Sequence, residues 1–277
     1  MGSEETTESN GLSAEDMCAL FASQAQALYD GIQSFETQLK ALHRDFENEL
    51  FADWPTVLLS TIQQTTTVSL FKLLPPPDAS DEPIDCRSIA SLIRNMVDTH
   101  DALDFICNSA NEDQFNLHRD ILAHYISSQT HSIRMKMAPD EAGSIYDTIR
   151  ATYWTKINEA ELDKQQKNRL RRGETLFYST RRERVDKACG EHAEFVSGVL
   201  AELSTYVHSI PPALWMRTID EGFLETPPNR GLLGIWLQIA NFYFANSIRV
   251  VRNSHAFEPN KKLDCYLDRF RNLFPNV

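Results

Sequence analysis

The sequence predicts an all-α fold, a multi-helix bundle of about eight or nine helices with a long N-terminal helix. Glycine contributes only 10 of the 277 residues, fewer than the usual share of about 7%, which disfavours folds rich in turns. Apolar residues recur every three or four positions over long stretches, as on the buried face of a helix. The prolines fall where this periodicity starts or stops, because proline lacks the N–H that a helix interior needs.

Capping residues and an apolar stripe predict the first two helices. Ser13, followed by Asp16 three positions later, is typical of a helix N-terminus. The stripe beyond it consists of apolar residues spaced by three or four: Leu28, Ile32, Phe35, Leu39, Leu42, Phe46 and Leu50. Asp53 is the predicted cap of a second helix, which has Pro55 in its first turn and ends near Leu74.

The prolines of residues 75–83 predict a linker, and further helices follow it. We expect these helices over residues 85–107, 113–137, 139–157, 191–207, 229–252 and 263–274. A basic segment before residue 191 is predicted to be helical, with a break near Gly173. The helix over 229–252 is apolar on nearly all sides, which predicts the central helix of the bundle.

These elements predict a disordered tail over 1–12, an N-terminal helical hairpin over 13–74 and a main helical bundle over 84–277. The hairpin either packs on the main bundle or leans away from it. A long helix with a regular apolar stripe favours self-association. We therefore expect a homodimer in which residues 28–50 contribute to the interface.

Charge and cysteine content limit the function classes. The net charge of −12 disfavours DNA and anionic membranes as general partners. The basic segment, Lys164 to Lys187, runs against this trend, since it holds nine Lys or Arg and three acids. Five scattered cysteines without a CxxC pair indicate neither a disulfide framework nor a zinc finger. With no apolar run as long as a membrane span, the sequence indicates a soluble cytoplasmic protein without a cofactor.

The run Arg119-Asp-Ile-Leu-Ala-His124 resembles the Arg-x4–6-His motif of HEPN-domain ribonucleases, which are all-helical, usually dimeric and metal-independent. The resemblance implies that Arg119 stabilises phosphate charge, that His124 acts in acid–base catalysis and that Asp120 is the polar neighbour. Arg94 with His100 and Arg249 with His255 also fit the loose pattern. The alternative is an exposed arginine and a hydrogen-bonded histidine on one helix.

Three acids, Asp98, Asp101 and Asp104, share one face of a predicted helix. Carboxylates in this arrangement can hold Mg²⁺, as in helical isoprenoid synthases. Those enzymes need a second acidic helix, and the only candidate, residues 238–241, lacks acids. We therefore expect no metal site, and a solvated helix face or salt bridges to the basic segment instead.

The basic segment is a candidate nucleic-acid surface. Two arginine pairs, Arg171–Arg172 and Arg181–Arg182, flank Phe177 and Tyr178. Arginines with interleaved aromatic rings bind single-stranded RNA through phosphate contacts and base stacking. The alternative is that these cations dock on the acidic remainder of the chain or on a protein partner.

A second resemblance rests on residues 87–98 and on the element from Leu203 to Ser209. Together they are similar to a family of uncharacterised, mostly bacterial helical proteins, with an arginine-bearing helix before a Leu-Ser-x-x-x-His element. The resemblance covers residues 85–255 and implies that four polar side chains converge between helices as a pocket or a buried network. These side chains are Arg87, Ser204, Tyr206 and His208.

The four-residue spacing of Ser204 and His208 also allows a hydroxyl–imidazole contact at a helix end. The negative end of the helix dipole is an alternative reason for a histidine there. Taken together, the patterns favour a non-catalytic binding or assembly module that acts with a protein partner. The alternative is a HEPN-like ribonuclease that uses Arg119 and His124.

Overall fold

The computed structural model describes residues 13–48, 53–76, 84–137, 144–207 and 227–273. These residues form α-helices and no strand, which confirms the all-α prediction. The helices are α1 Ala14–Asn48, α2 Trp54–Lys72, α3 Cys86–Cys107, α4 Glu112–Met137, α5 Ser144–Glu159, α6 Lys164–Arg171, α7 Arg181–Cys189, α8 Ala193–Val207, α9 Pro227–Ser254 and α10 Lys261–Arg269. The predicted tail over 1–12 lies outside the described residues, as does most of the predicted linker.

Side-chain caps determine where several helices begin. Ser13 Oγ accepts a hydrogen bond from the Asp16 backbone N–H at 3.1 Å, as predicted for α1. Asp163 and Thr180 form capping boxes at the starts of α6 and α7, which satisfy backbone N–H groups that no helical carbonyl can reach. Asp53 is the N-cap residue of α2, as predicted, but its side chain accepts no backbone N–H bond. Its carboxylate instead accepts the Thr56 hydroxyl at 2.6 Å.

The break predicted near Gly173 is confirmed. Gly173 has φ of 63°, a left-handed conformation that is costly for residues with a Cβ. Its N–H donates to Leu170 O at 2.9 Å, and Glu174 N–H donates to Arg169 O at 3.1 Å. These bonds close the C-terminus of α6, so the chain turns there before it forms α7.

Helix α9 lies at the centre of the core, as its apolar sequence predicts. It packs against α1, α2, α3 and α10. Trp236, Tyr243 and Phe244 of α9 are all fully buried. Phe244 meets Phe35 of α1 edge to face, with ring centroids 5.8 Å apart. Burial on all sides explains why α9 carries apolar residues around its whole circumference.

The apolar stripe of α1 is buried against other helices of the same chain. Its described members, from Leu28 to Leu42, are at most 8% exposed, because α1 packs along α9 and α2. The prediction that the stripe within residues 28–50 forms a dimer interface is therefore wrong for these members. The two N-terminal helices pack on the rest of the bundle. Among the described helices, none is long and apolar enough to cross a membrane.

Two helical glycines give a matched test of this packing. A Cβ on Gly31 of α1 would lie 2.6 Å from Cζ of the buried Tyr266 ring in α10, whereas a Cβ on Gly198 of α8 would meet nothing within 4 Å. We expect Gly31→Ala to lower the free energy of unfolding by about 1–3 kcal/mol through overpacking. Gly198→Ala is expected to raise it by about 0.5–1 kcal/mol through helix propensity. Urea unfolding measures both, and a Gly31→Ala variant as stable as the parent would contradict the close approach of α1 and α10.

Candidate ligand pocket between α3, α7 and α9

A polar pocket of about 200 Å³ opens where α3, α7 and α9 meet. Its lining residues are His100, Asp101, Asp104, Arg184, Lys187, Ala188, Asn246, Arg249 and Val250. Most carry charged or polar side chains, and they come from sequence positions as far apart as 100 and 250. Convergent polar groups in a concave site are typical of ligand pockets.

Two ion pairs between α3 and α7 form part of the pocket wall. Arg184 Nε lies 2.6 Å from Asp101 Oδ2, and Lys187 Nζ lies 2.5 Å from Asp104 Oδ2. Both acids are three residues apart on α3 and both cations are three residues apart on α7, so each pair shares a helix face. Asp101 and Asp104 thus form salt bridges to the basic segment, which was one of the two alternatives predicted for these acids. Among the described residues, no group of three metal-ligating side chains occurs.

The Asp101–Arg184 pair is the buried one. The side chains of Asp101 and Arg184 are 6% and 16% exposed. Burial raises the pKa of the Asp101 carboxyl, and the hydrogen bond from Arg184 opposes that rise only in part. Arg184 also donates to Ser179 O at 2.9 Å, and its guanidinium lies over the Phe177 ring at 3.9 Å. Because loss of solvation is the largest effect, Asp101 depends on the nearby Arg184 to remain charged in the protein interior.

His100 is held as a neutral imidazole. Ser247 Oγ donates to Tyr243 O at 2.8 Å, so its lone pairs remain to accept from His100 Nδ1 at 3.3 Å and from Gln63 Nε2 at 3.1 Å. This arrangement places the ring proton on Nδ1 and leaves Nε2 as an acceptor. Burial lowers the pKa of His100 to about 4; the Asp104 carboxylate opposes this shift, and Lys187 and Arg249 add to it. His100 is therefore uncharged at neutral pH.

Arg249 is the cation of the pocket without a carboxylate partner among the described residues. Its guanidinium donates to Asn246 Oδ1 and to Leu267 O, both neutral acceptors. Burial lowers the pKa of Arg249, but an arginine remains protonated at neutral pH. The charged lining residues are three cations and two acids, so the pocket carries one excess positive charge.

The candidate ribonuclease residues do not form an open site. His124 is 1% exposed and stacks on Tyr153 with ring centroids 4.1 Å apart. Its Nε2 lies 3.2 Å from Arg171 O, and burial lowers its pKa. Asp120 pairs with Lys156, while Arg119 is half-buried. The open groove that this hypothesis requires is therefore absent at His124, because the ring fills the contact between α4 and α5.

The basic segment uses most of its cations within the chain. Arg172 pairs with Glu174 at 3.1 Å, and Arg182 pairs with Asp186 at 3.1 Å and with Glu194 at 3.7 Å. Arg171 Nε and Arg181 Nη2 are buried and have no hydrogen-bond partner among the described residues. The intervening Phe177 and Tyr178 rings each meet the Phe105 ring in a T-shaped arrangement, with ring centroids 6.0 and 5.2 Å apart. The predicted stacking surface is wrong in this respect, because the two rings pack inward.

The family resemblance implies that four polar side chains converge, and the structure describes three of them. Arg87 is exposed near the start of α3, so the expectation that it is buried is wrong. Ser204 Oγ donates to Leu200 O at 2.7 Å within α8. Tyr206 is buried against Trp236, with ring centroids 5.1 Å apart. His208 lies outside the described residues, so its predicted contacts remain predictions.

Sequence patterns singled out the acids and the basic segment that line part of the pocket but not the residues that α9 contributes to it. His100 and Arg249 entered only as members of further Arg–His matches, and Asn246 and Ser247 carried no signal. Comparison with known proteins adds no assignment, since the chain matches no protein-family model. It likewise matches no curated protein and no solved structure. The candidate site therefore rests on the geometry of the pocket between α3, α7 and α9.

Proposed function

We propose that this chain is a non-catalytic binding module that holds a small anionic ligand, a carboxylate or a phosphate, in the pocket between α3, α7 and α9. The observation that carries the proposal is Arg249. It is a partly buried cation in the pocket wall that forms no salt bridge among the described residues, and Asp268 attracts it only from beyond ion-pair distance. A buried charge is costly unless an opposite charge accompanies it, and an anionic ligand supplies that charge.

The chemistry of the lining supports this ligand class. A guanidinium presents five N–H donors in a planar fork, which matches the oxygen atoms of a carboxylate or phosphate. The bond to Asn246 orients this fork. Arg184 and Lys187 are paired with Asp101 and Asp104, so Arg249 supplies the excess positive charge. Neutral His100 supplies an acceptor for a hydroxyl or N–H on the same ligand. A small anion that also carries a donor group fits both features.

Thermal denaturation with added anions tests the proposal. Inorganic phosphate and lactate, each titrated at constant ionic strength with chloride as reference, represent the phosphate and the hydroxycarboxylate classes. We expect at least one to raise Tm saturably in the parent protein, because a ligand that binds only the folded state stabilises it. Arg249→Gln is expected to abolish the rise relative to its own starting Tm.

The matched control is Arg252→Gln. Arg252 lies nearly one turn further along α9, but it pairs with Asp264 at 2.5 Å and is not part of the pocket lining. This variant is expected to keep the ligand-induced rise in Tm. The proposal fails if neither anion gives a saturable shift in the parent, or if Arg249→Gln responds as strongly as the parent does.

A further inference from the structure

His100 offers one ring nitrogen to a ligand in the pocket between α3, α7 and α9. The residue is part of the pocket lining. Its Nδ1 lies 3.3 Å from Ser247 Oγ, and that hydroxyl donates its own proton to Tyr243 O at 2.8 Å. Only Nε2 is therefore left to meet a ligand. In the neutral ring this nitrogen accepts a hydrogen bond and cannot donate one.

The buried network behind the ring fixes this arrangement of protons. Gln63, a neutral residue of α2, donates to Ser247 Oγ at 3.1 Å, so both lone pairs of that oxygen face donors. A ring with its proton on Nε2 would set a bare Nδ1 against an oxygen that has no proton left to donate. Ser247 and Gln63 are 2% and 0% exposed, and an unpaired polar group is costly at such depth. The acceptor at Nε2 is therefore a fixed feature of the pocket wall.

The charges near His100 disfavour a proton on the ring until an anion binds. Ionisable groups reach this part of the pocket from three helices: Asp101 and Asp104 from α3, Arg184 and Lys187 from α7, and Tyr243 and Arg249 from α9. Tyr243 remains a neutral phenol, because burial raises its pKa. Burial lowers the pKa of His100, Asp104 opposes this shift, and Lys187 and Arg249 add to it. An anion bound at Arg249 offsets the repulsion from these cations and so favours protonation of the ring.

We infer that His100 sets the specificity of this pocket: the neutral ring selects anions that carry a hydroxyl or N–H donor, and an anion with acceptor oxygens alone binds together with a proton on the ring. This inference rests on the proposed function, in which Arg249 holds the charged end of the ligand. A hydroxyl on that ligand donates to the bare Nε2. An acceptor oxygen at the same place meets a lone pair, and the contact becomes a hydrogen bond only when the ring takes a proton from solvent. The network behind the ring stays unchanged, because Nδ1 donates to Ser247 in both charge states.

Lactate and pyruvate are matched probes, since both are small carboxylates and only lactate carries a hydroxyl donor. Isothermal titration calorimetry of the full chain at pH 7 is expected to show lactate binding at least about tenfold tighter than pyruvate, because a site that pairs a hydroxyl discriminates against an analogue without it. At pH 5 we expect pyruvate to bind at least about tenfold tighter than at pH 7, with uptake of about half to one proton. Titrations in buffers of different ionisation enthalpy measure that uptake, which is expected to be smaller for lactate.

His100→Gln identifies the titrating group, because glutamine does not change its charge between pH 7 and pH 5. In this variant the affinity for pyruvate is expected to stay within about twofold over that range. A pH dependence that persists in His100→Gln overturns the inference and points to Asp101, whose pKa burial raises. Equal affinities of the parent for lactate and pyruvate at pH 7 also overturn it, but they leave the anion pocket intact. If neither anion binds at either pH, the proposed function fails and this inference fails with it.

Discussion

Replacing Asp101 with alanine is expected to lower the free energy of unfolding by about 3 kcal/mol. The substitution removes the carboxylate that lies 2.6 Å from Arg184 Nε and leaves the largely buried guanidinium without its counter-charge. The expected cost is at the lower end for a broken buried pair, because Ser179 O and the Phe177 ring still contact the cation. Chemical denaturation monitored by circular dichroism measures the change.

Two further variants separate loss of the pair from loss of a side chain. Asp98→Ala, at the exposed acid one turn earlier on α3, is expected to change stability by less than about 0.5 kcal/mol. The double variant Asp101→Leu with Arg184→Met is expected to recover most of the lost stability, because no buried charge then lacks a partner. If the double variant were less stable than Asp101→Ala, the pair itself would be strongly stabilising, contrary to the raised pKa of Asp101.

Lowering the pH from 7 to 5 is expected to reduce the free energy of unfolding by about 2 kcal/mol through His100 alone. The pKa of His100 falls from 6.5 to about 4 on burial, so the unfolded chain binds a proton in this range that the folded chain does not. Because the pKa of His100 is lower in the folded state, the stability that depends on a neutral His100 is fully present above pH 6.5. This stability is lost progressively as the pH falls toward 4. Burial also lowers the pKa of His118 and His124, which act in the same direction.

The variant His100→Gln tests that assignment. Glutamine retains a group that can bond Ser247 but does not titrate, so the pH dependence of stability between 7 and 5 is expected to become shallower by about 2 kcal/mol. Urea unfolding at several pH values measures the slope. An unchanged slope in His100→Gln would show that His100 titrates normally in the folded protein.

The helices followed from local rules. Prolines, capping residues and apolar spacing act over a few neighbouring residues, and they correctly located the start of α1 at Ser13 and the break at Gly173. Asp53 is the N-cap residue of α2, as predicted, but its side chain does not cap the backbone. Its carboxylate accepts the Thr56 hydroxyl of α2 and pairs with His255, directly after α9, and the second contact depended on the tertiary structure.

The sequence did not show which helix covers each apolar face. The stripe of α1 was correctly predicted to be buried against other helices, but the prediction that its described members from Leu28 to Leu42 contribute to a dimer interface was wrong. An amphipathic pattern shows that a face is covered and not which element covers it. Here α9, more than 180 residues later in the chain, covers it. Salt bridges between the acids of α3 and the basic segment were one of the alternatives, although the pairing of Asp101 with Arg184 required the fold.

By itself, the sequence of this protein determined an all-helical chain, the ends of most described helices and the central place of α9, because these depend on periodicity and on local backbone bonding. Only the tertiary structure decided that His124 is buried and that His100 and Arg249 share a pocket. The exposure of a side chain depends on residues far away in the chain. His100 and Arg249 lie on different helices, 149 positions apart, and only the packing of α3 on α9 brings them together.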